Sequence, residues 1–324
     1  MTIDWLLVAA SLGIGVVVGL TGMGGGALMT PVLVLLFGVP PLTAVSSDLV
    51  AAAVMKPVGS IVHLRRGTVN LALVKWLCVG SVPMACLGVV AVKWLGDDVA
   101  IQQTIQVALG VALLIAAFGL AFRAYTRLLE RARRRDGRAD PLPQERPEVA
   151  IRRLPTILVG AVGGLVVGMT SVGSGSLIII ALMALYPALR ASQLVGTDLV
   201  QAVPLVAAAA VAHVLFGDFH LALTASLLIG CVPGAWLGAR LSSRAPGGLI
   251  RRVLAFVLLA SALKLLGLGT AATGIVLLAS ILVAPTAWMV VRRANGFPAL
   301  VRSQRRAKAR AAFELGNERQ TAPR

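Results

Sequence analysis

Charged residues are scarce in this chain. They make up 13% of its 324 residues, where a soluble domain of this size carries roughly 25%. Hydrophobic residues reach 58% and the mean hydropathy is +0.89. That shortage excludes an ordinary water-soluble domain. The short segments of alternating polar and apolar residues that mark barrel strands are also missing, which excludes a transmembrane β-barrel. What remains is an all-α polytopic membrane protein, and several apolar runs approach or exceed the ~20 residues needed to cross a bilayer as a helix.

Other absences narrow the function. Cysteine occurs three times, at Cys78, Cys86 and Cys231, inside apolar runs. This odd set has no disulfide framework or metal-ligand spacing and reads as small buried side chains. No nucleophile–base pair, metal-ligand cluster or nucleotide loop stands out, which argues against an enzyme and against a bound cofactor. No Lys or Arg precedes the first apolar run at Trp5, so the charged start of a signal peptide is lacking and the run reads as a retained helix. Acidic residues are few, 13 against 30 basic ones, for a formal charge of +17. The basic excess gathers at 123–153 and 292–324. Basic segments beside membrane helices mark the cytoplasmic side and touch anionic lipid, a better reading here than nucleic-acid binding.

The spacing predicts helices at Trp5–Leu20, Gly26–Gly38, Leu42–Leu64, Leu71–Leu95 and Ala100–Phe122. After a basic, Pro-containing loop, a second set follows at Leu154–Met169, Ser174–Tyr186, Leu189–Phe216, His220–Leu241 and Leu249–Leu266, with one further helix at Ala271–Val291. Asp48-Leu49-Val50 matches Asp198-Leu199-Val200, His63 matches His213, Gly67 matches Gly217, and Gly80, Val82 and Pro83 match Gly230, Val232 and Pro233. The constant offset of 150 identifies an internal repeat.

Basic loop residues set the orientation. Arg65 and Arg66 place one first-half loop inside, whereas its second-half counterpart, 217–219, has none. Arg240, Arg244, Arg251 and Arg252 place a second-half loop inside, whereas its counterpart carries Asp97 and Asp98. The halves are therefore expected to be inverted, with the N-terminus outside and the C-terminus inside a bacterial-type cytoplasmic membrane. The expected parts are a first repeat at 1–122, a cytoplasmic linker at 123–153, a second, inverted repeat at 154–267, an extra helix at 268–291 and a cytoplasmic tail at 292–324. Trp5, Trp94 and Trp288 fall near predicted helix ends, as interfacial anchors do.

Two glycine-rich stretches interrupt the apolar runs at matched positions: Gly19-Leu-Thr-Gly-Met-Gly-Gly-Gly26 and Gly168-Met-Thr-Ser-Val-Gly-Ser-Gly175. Each precedes a short or re-entrant helix; the one at Gly26–Gly38 is about 20 Å long. A helix start preceded by flexible backbone offers unpaired N–H groups and partial positive charge to an anion. The candidate anion site comprises Thr21, Gly22, Gly24, Gly25 and Gly26 from the first stretch and Thr170, Ser171, Gly173, Ser174 and Gly175 from the second. The competing reading is close helix packing by small residues. Ser47 and Thr197 precede Asp48 and Asp198, intramembrane carboxylates that either hold a coupling proton or organise their own helix starts. Gln201 shares a helix face with Asp198. Lys56, without a basic counterpart at Val206, either attracts substrate or carries its amine toward the interface. His63 and His213 lie about 22 Å along the helix from their aspartates and are expected near helix ends, in interfacial hydrogen bonds.

The chain resembles the TauE/SafE family of membrane transporters through Gly22-Met-Gly-Gly-Gly26 followed by Pro31, Ala44-Val-Ser-Ser-Asp48, Leu194-Val-Gly-Thr-Asp198 and the Gly-x-x-Pro runs at Gly80 and Gly230. The resemblance implies a secondary transporter of small sulfur-containing anions such as sulfite, sulfoacetate or other sulfonates. Inverted repeats place such a substrate near the midplane, reached by alternating access. An anion channel, or a membrane-embedded enzyme or binding scaffold, are the alternatives.

Overall fold

A computed structural model of the chain describes residues 3–21, 26–95, 99–135, 150–175, 177–187, 189, 191–241 and 247–297. Among these residues the structure is entirely helical: α1 (Trp5–Thr21), α2 (Gly26–Leu36), α3 (Pro41–Arg65), α4 (Leu71–Leu95), α5 (Val99–Arg135), α6 (Arg153–Thr170), α7 (Leu177–Leu185), α8 (Ala191–Phe216), α9 (Leu221–Leu241), α10 (Gly247–Leu265) and α11 (Thr270–Ala294). Seven of them, α3, α4, α5, α6, α8, α9 and α11, contain stretches long and apolar enough to cross a membrane. The order is the expected one, with two shifts. α5 continues as helix to Arg135, well past Phe122, because Thr126-Arg-Leu-Leu-Glu-Arg-Ala-Arg contains neither proline nor glycine to stop it. α7 starts at Leu177 rather than Ser174, because Gly173 and Gly175 adopt positive φ, 131° and 101°, which a helix does not accept.

The chain forms two compact units. The first comprises residues 1–121 and 145–273, and the second comprises 122–144 and 274–324. Within the first, helices pair across the two halves of the sequence rather than within them. α1 lies against α9, α4 against α6, and α3 against α8. α3 and α8 run antiparallel, since Ser46 near the start of α3 meets His213 near the end of α8, while Ser60 near the end of α3 meets Leu199 near the start of α8.

The other two pairings are parallel and rest on glycine. On α6, a Cβ added at Gly160, Gly164 or Gly168 would fall 2.3, 2.2 or 2.3 Å from the carbonyl oxygens of Leu77, Ser81 and Ala85 on α4. On α9, a Cβ at Gly230, Gly234 or Gly238 would fall 2.2, 2.3 or 2.1 Å from those of Val8, Leu12 and Val16 on α1. Glycine every fourth residue thus lets two backbones touch along one face, the means by which helices associate where surrounding lipid removes any hydrophobic drive. The packing role proposed for small residues is filled here, by glycines within the helices.

Two single variants separate this contact from mere loss of helix flexibility. Gly164→Ala must push α4 and α6 apart and is expected to cost roughly 1–3 kcal/mol, as overpacking does. Gly13→Ala, where an added Cβ meets nothing within 4 Å, is expected to be neutral or to stabilise by about 0.5–1 kcal/mol. Reversible unfolding in mixed detergent micelles measures both, and equal effects would contradict the backbone contact.

Candidate functional site

The α4–α6 contact fixes where α6 ends, and the end of α6 carries the site. Ser171 turns the chain out of the helix with a left-handed φ of 57°, its N–H bonded to the Val167 carbonyl at 2.8 Å. Thr170 Oγ1 donates to the Val166 carbonyl at 2.7 Å and accepts from the Val172 N–H at 3.2 Å, holding the turn. Gly173 and Gly175 then take positive φ through a turn, and the Leu177 N–H at the start of α7 bonds back to the Gly173 carbonyl at 3.0 Å. Thr170, Ser171, Gly173 and Gly175 are all buried, and Ser174 is half-buried. His213 steadies this end from α8. It is fully buried, where an interfacial position was expected; its Nε2 donates to the Gly168 carbonyl at 2.8 Å and its Nδ1 shares a hydrogen bond with Ser46 Oγ at 2.8 Å. The antiparallel pairing of α3 with α8 draws that helix end inward. His63 is partly buried and bonds Thr68 at 2.9 Å.

Lys56 reaches into this break from the middle of α3. It is 6% exposed, and its Nζ donates to Ser174 Oγ. The charges facing it are Asp198 first and Asp48 second. From the α3–α8 register, the two aspartates stand about 20 Å apart along the helix pair at 1.5 Å per residue, with Lys56 between their levels. Asp48 is fully buried; Thr30 Oγ1, from α2, donates to its Oδ2 at 2.7 Å. Ser171 lies beside Asp48 as well, yet neither Asp48 Oδ1 nor Ser171 Oγ completes a hydrogen bond. Asp198, 1% exposed, accepts from Gln201 Nε2 at 3.3 Å, and Gln201 Oε1 accepts in turn from Ser81 Oγ on α4 at 3.1 Å.

The candidates therefore divide. Asp48 with Ser171 beside it, Lys56 with Ser174, and Asp198 with Gln201 form three polar groups at successive levels of the α3–α8 pair. Thr197 is occupied elsewhere, accepting the N–H of Asn70 at 3.0 Å ahead of α4. Ser47 is buried on α3 with no hydrogen-bond partner for its hydroxyl. Gly26 opens α2 and Thr21 closes α1, while Gly22, Gly24 and Gly25 lie outside the described residues. Thr30 was missed by the sequence reading. It is the one hydroxyl in the first turns of an otherwise apolar short helix, a signal hidden because its repeat counterpart is Ile180. No group of three or more His, Cys, Asp or Glu suited to a metal ion occurs among the described residues.

A helix bundle with membrane-length spans that buries an ammonium and two carboxylates beside a broken helix defines a polytopic membrane protein with an internal polar site. Residues 7–265 match the family described as "Sulfite exporter TauE/SafE", and the chain belongs to that family of probable membrane transporters. It is 38% identical over 261 residues to "Probable membrane transporter protein YjnA" of Bacillus subtilis (strain 168), covering 80% of this chain and 98% of that one. It is 24% identical to "Probable membrane transporter protein YdhB" of the same organism over 72% of this chain and 88% of that one. No solved structure matches the chain.

Coupling between Lys56 and Asp198 is measurable as stability. Lys56→Met leaves two buried carboxylates without countercharge and is expected to lose roughly 3–5 kcal/mol, whereas Asp198→Asn leaves Lys56 with Asp48 alone and is expected to cost less. The double variant should recover part of that loss, with a coupling of about 0.5–3 kcal/mol. Additive losses in detergent unfolding would show that the two groups do not compensate each other.

Proposed function

We propose that the chain is a secondary transporter that moves a small, sulfur-containing anion such as sulfite, sulfoacetate or another sulfonate across a bacterial-type cytoplasmic membrane by alternating access. The observation that carries this reading is the buried Lys56 ammonium donating to Ser174 within the α6–α7 break. An ammonium inside an apolar bundle is costly unless it meets charge or substrate. A sulfonate or sulfite oxygen takes hydrogen bonds from both Lys56 and Ser174, and charge-assisted bonds of this kind are the strong ones. The sulfur-containing substrate comes from the family description. The glycine stretch at Gly22–Gly26 supplies the other half of the anion site in this reading.

The two halves act as inverted repeats. The 150-residue offset and the antiparallel course of the equivalent helices α3 and α8 support that arrangement, which in secondary transporters places the site between the halves at the bilayer midplane. The basic residues of 123–153 and 292–324 lie on the cytoplasmic side and contact anionic lipid, with the N-terminus outside. A proton accompanies the anion, carried within the cluster of Asp48, Asp198 and Gln201.

Counterflow in proteoliposomes tests the transport cycle. Labelled sulfite, methanesulfonate, sulfoacetate, sulfate and acetate are each driven against unlabelled anion on the far side. A sulfur-containing anion is expected to show saturable counterflow, with Lys56→Met lowering its apparent affinity at least tenfold. A steady electrodiffusive current without counterflow would make the protein a channel, and movement of acetate alone would remove the sulfur-containing substrate.

A further inference from the structure

The buried cluster does not balance. Two carboxylates, Asp48 and Asp198, face one ammonium, Lys56, so with both ionised the site holds one negative charge in excess before any substrate arrives. A monovalent anion drawn to Lys56 and Ser174 would raise that excess to two inside an apolar bundle. Buried charge without compensation is strongly disfavoured. One further positive charge must therefore enter with each monovalent anion, and the geometry distinguishes the group that takes it.

Asp198 is held by Gln201, which donates to its Oδ1 while Ser81 fixes that amide from α4, and the charge of Lys56 acts on it. Asp48 differs. Thr30 donates to its Oδ2, but Oδ1 is buried without a partner, and the neighbouring Ser171 Oγ is buried without one too. An oxygen bare of donors makes the ionised form of Asp48 costly, and a proton taken up on Oδ1 has the Ser171 oxygen beside it as an acceptor. Ser171 and Ser174 belong to the same broken segment between α6 and α7. Ser174, which meets Lys56, therefore lies three residues from the hydroxyl beside Asp48.

The other titratable groups around this carboxylate offer no equal site. Cys231 approaches Asp48 from α9. His213, from α8, is held between Ser46 and the Gly168 carbonyl. On the side of Asp198, Cys78 Sγ lies 3.9 Å from the Gln201 carbonyl.

We propose that Asp48 is the coupling carboxylate: one proton, shared between Asp48 Oδ1 and Ser171 Oγ, enters and leaves with each monovalent anion. The inference rests on the transporter reading above and names the ion and residue that drive it. Transport of a monovalent anion is then electroneutral, and a pH gradient accumulates substrate whereas a membrane potential does not. A dianion such as sulfoacetate needs a second proton to reach the same balance.

Proteoliposomes containing the full chain and a trapped pH dye provide the test, with methanesulfonate as the probe because its charge is fixed across the working pH range. One proton is expected to move with each methanesulfonate, unaffected by a valinomycin-imposed potential. Asp48→Asn and Ser171→Ala should each reduce pH-driven accumulation at least tenfold more than they reduce counterflow at equal pH. A purely structural role would lower both alike and would overturn the assignment. Asp198→Asn, which strips Lys56 of its nearer partner, should instead lower both together. Methanesulfonate counterflow without proton movement, or counterflow confined to sulfoacetate and sulfate, overturns the coupling while leaving transport intact. Proton movement that survives Asp48→Asn but not His213→Gln moves the carrier to His213 and overturns the choice of Asp48. Absence of counterflow for every anion tried overturns transport and coupling together.

Discussion

An ammonium group enclosed by apolar helices has to be matched by charge and hydrogen bonds from within the protein, because lipid and buried side chains supply neither. Lys56 imposes that demand here. Asp198 and Asp48 supply countercharge from opposite levels of the α3–α8 pair, and Ser174 supplies a hydroxyl acceptor. Serving the ammonium requires a hydroxyl at the bundle's interior, where regular helix would turn it toward its own neighbours. The break between α6 and α7 meets that requirement. It exists because Ser171 adopts a left-handed conformation and two glycines follow with positive φ.

Placing an open backbone segment inside a bundle is tolerable only if its ends are held. The glycine contacts of α6 on α4 hold one end at backbone-to-backbone distance, and His213 caps the Gly168 carbonyl from α8. The matching contacts of α9 on α1 join the two halves a second time. Each half therefore lends its fourth helix to brace the first helix of the other. Frame and site are in this sense one construction, since sliding α4 past α6 would carry Ser171 and Ser174 away from Asp48 and Lys56.

Much of this was legible in the sequence, and the exceptions have physical causes. Apolar runs and their glycine and proline punctuation marked the eleven helices among the described residues, seven of them long and apolar enough to cross a membrane. The offset of 150 paired Asp48 with Asp198 and His63 with His213 before any packing was visible. Matching equivalent positions also concealed things. Thr30 pairs with Ile180, so its chemistry looks like noise in a repeat, whereas Lys56 stood out as a cation unmatched at Val206. The burial of His213 was not readable because it depends on which helix end faces the break, a property of tertiary packing. The glycines at four-residue spacing in α6 and α9 were visible as letters, but their partners on α4 and α1 were not. Thr197 looked like a site residue by its place beside Asp198, yet its hydroxyl serves the Asn70 N–H instead.

The central claim is that the Lys56–Ser174 pair sits at a site reached in turn from each side of the membrane and occupied by the anion. Thiol accessibility of Ser174→Cys, in a background with Cys78, Cys86 and Cys231 replaced, addresses it most directly. Membrane-impermeant maleimide applied to vesicles of known orientation is expected to label the new cysteine from either face, and saturating substrate anion to slow both reactions. Labelling from one face only, or a rate indifferent to the anion, would contradict the account.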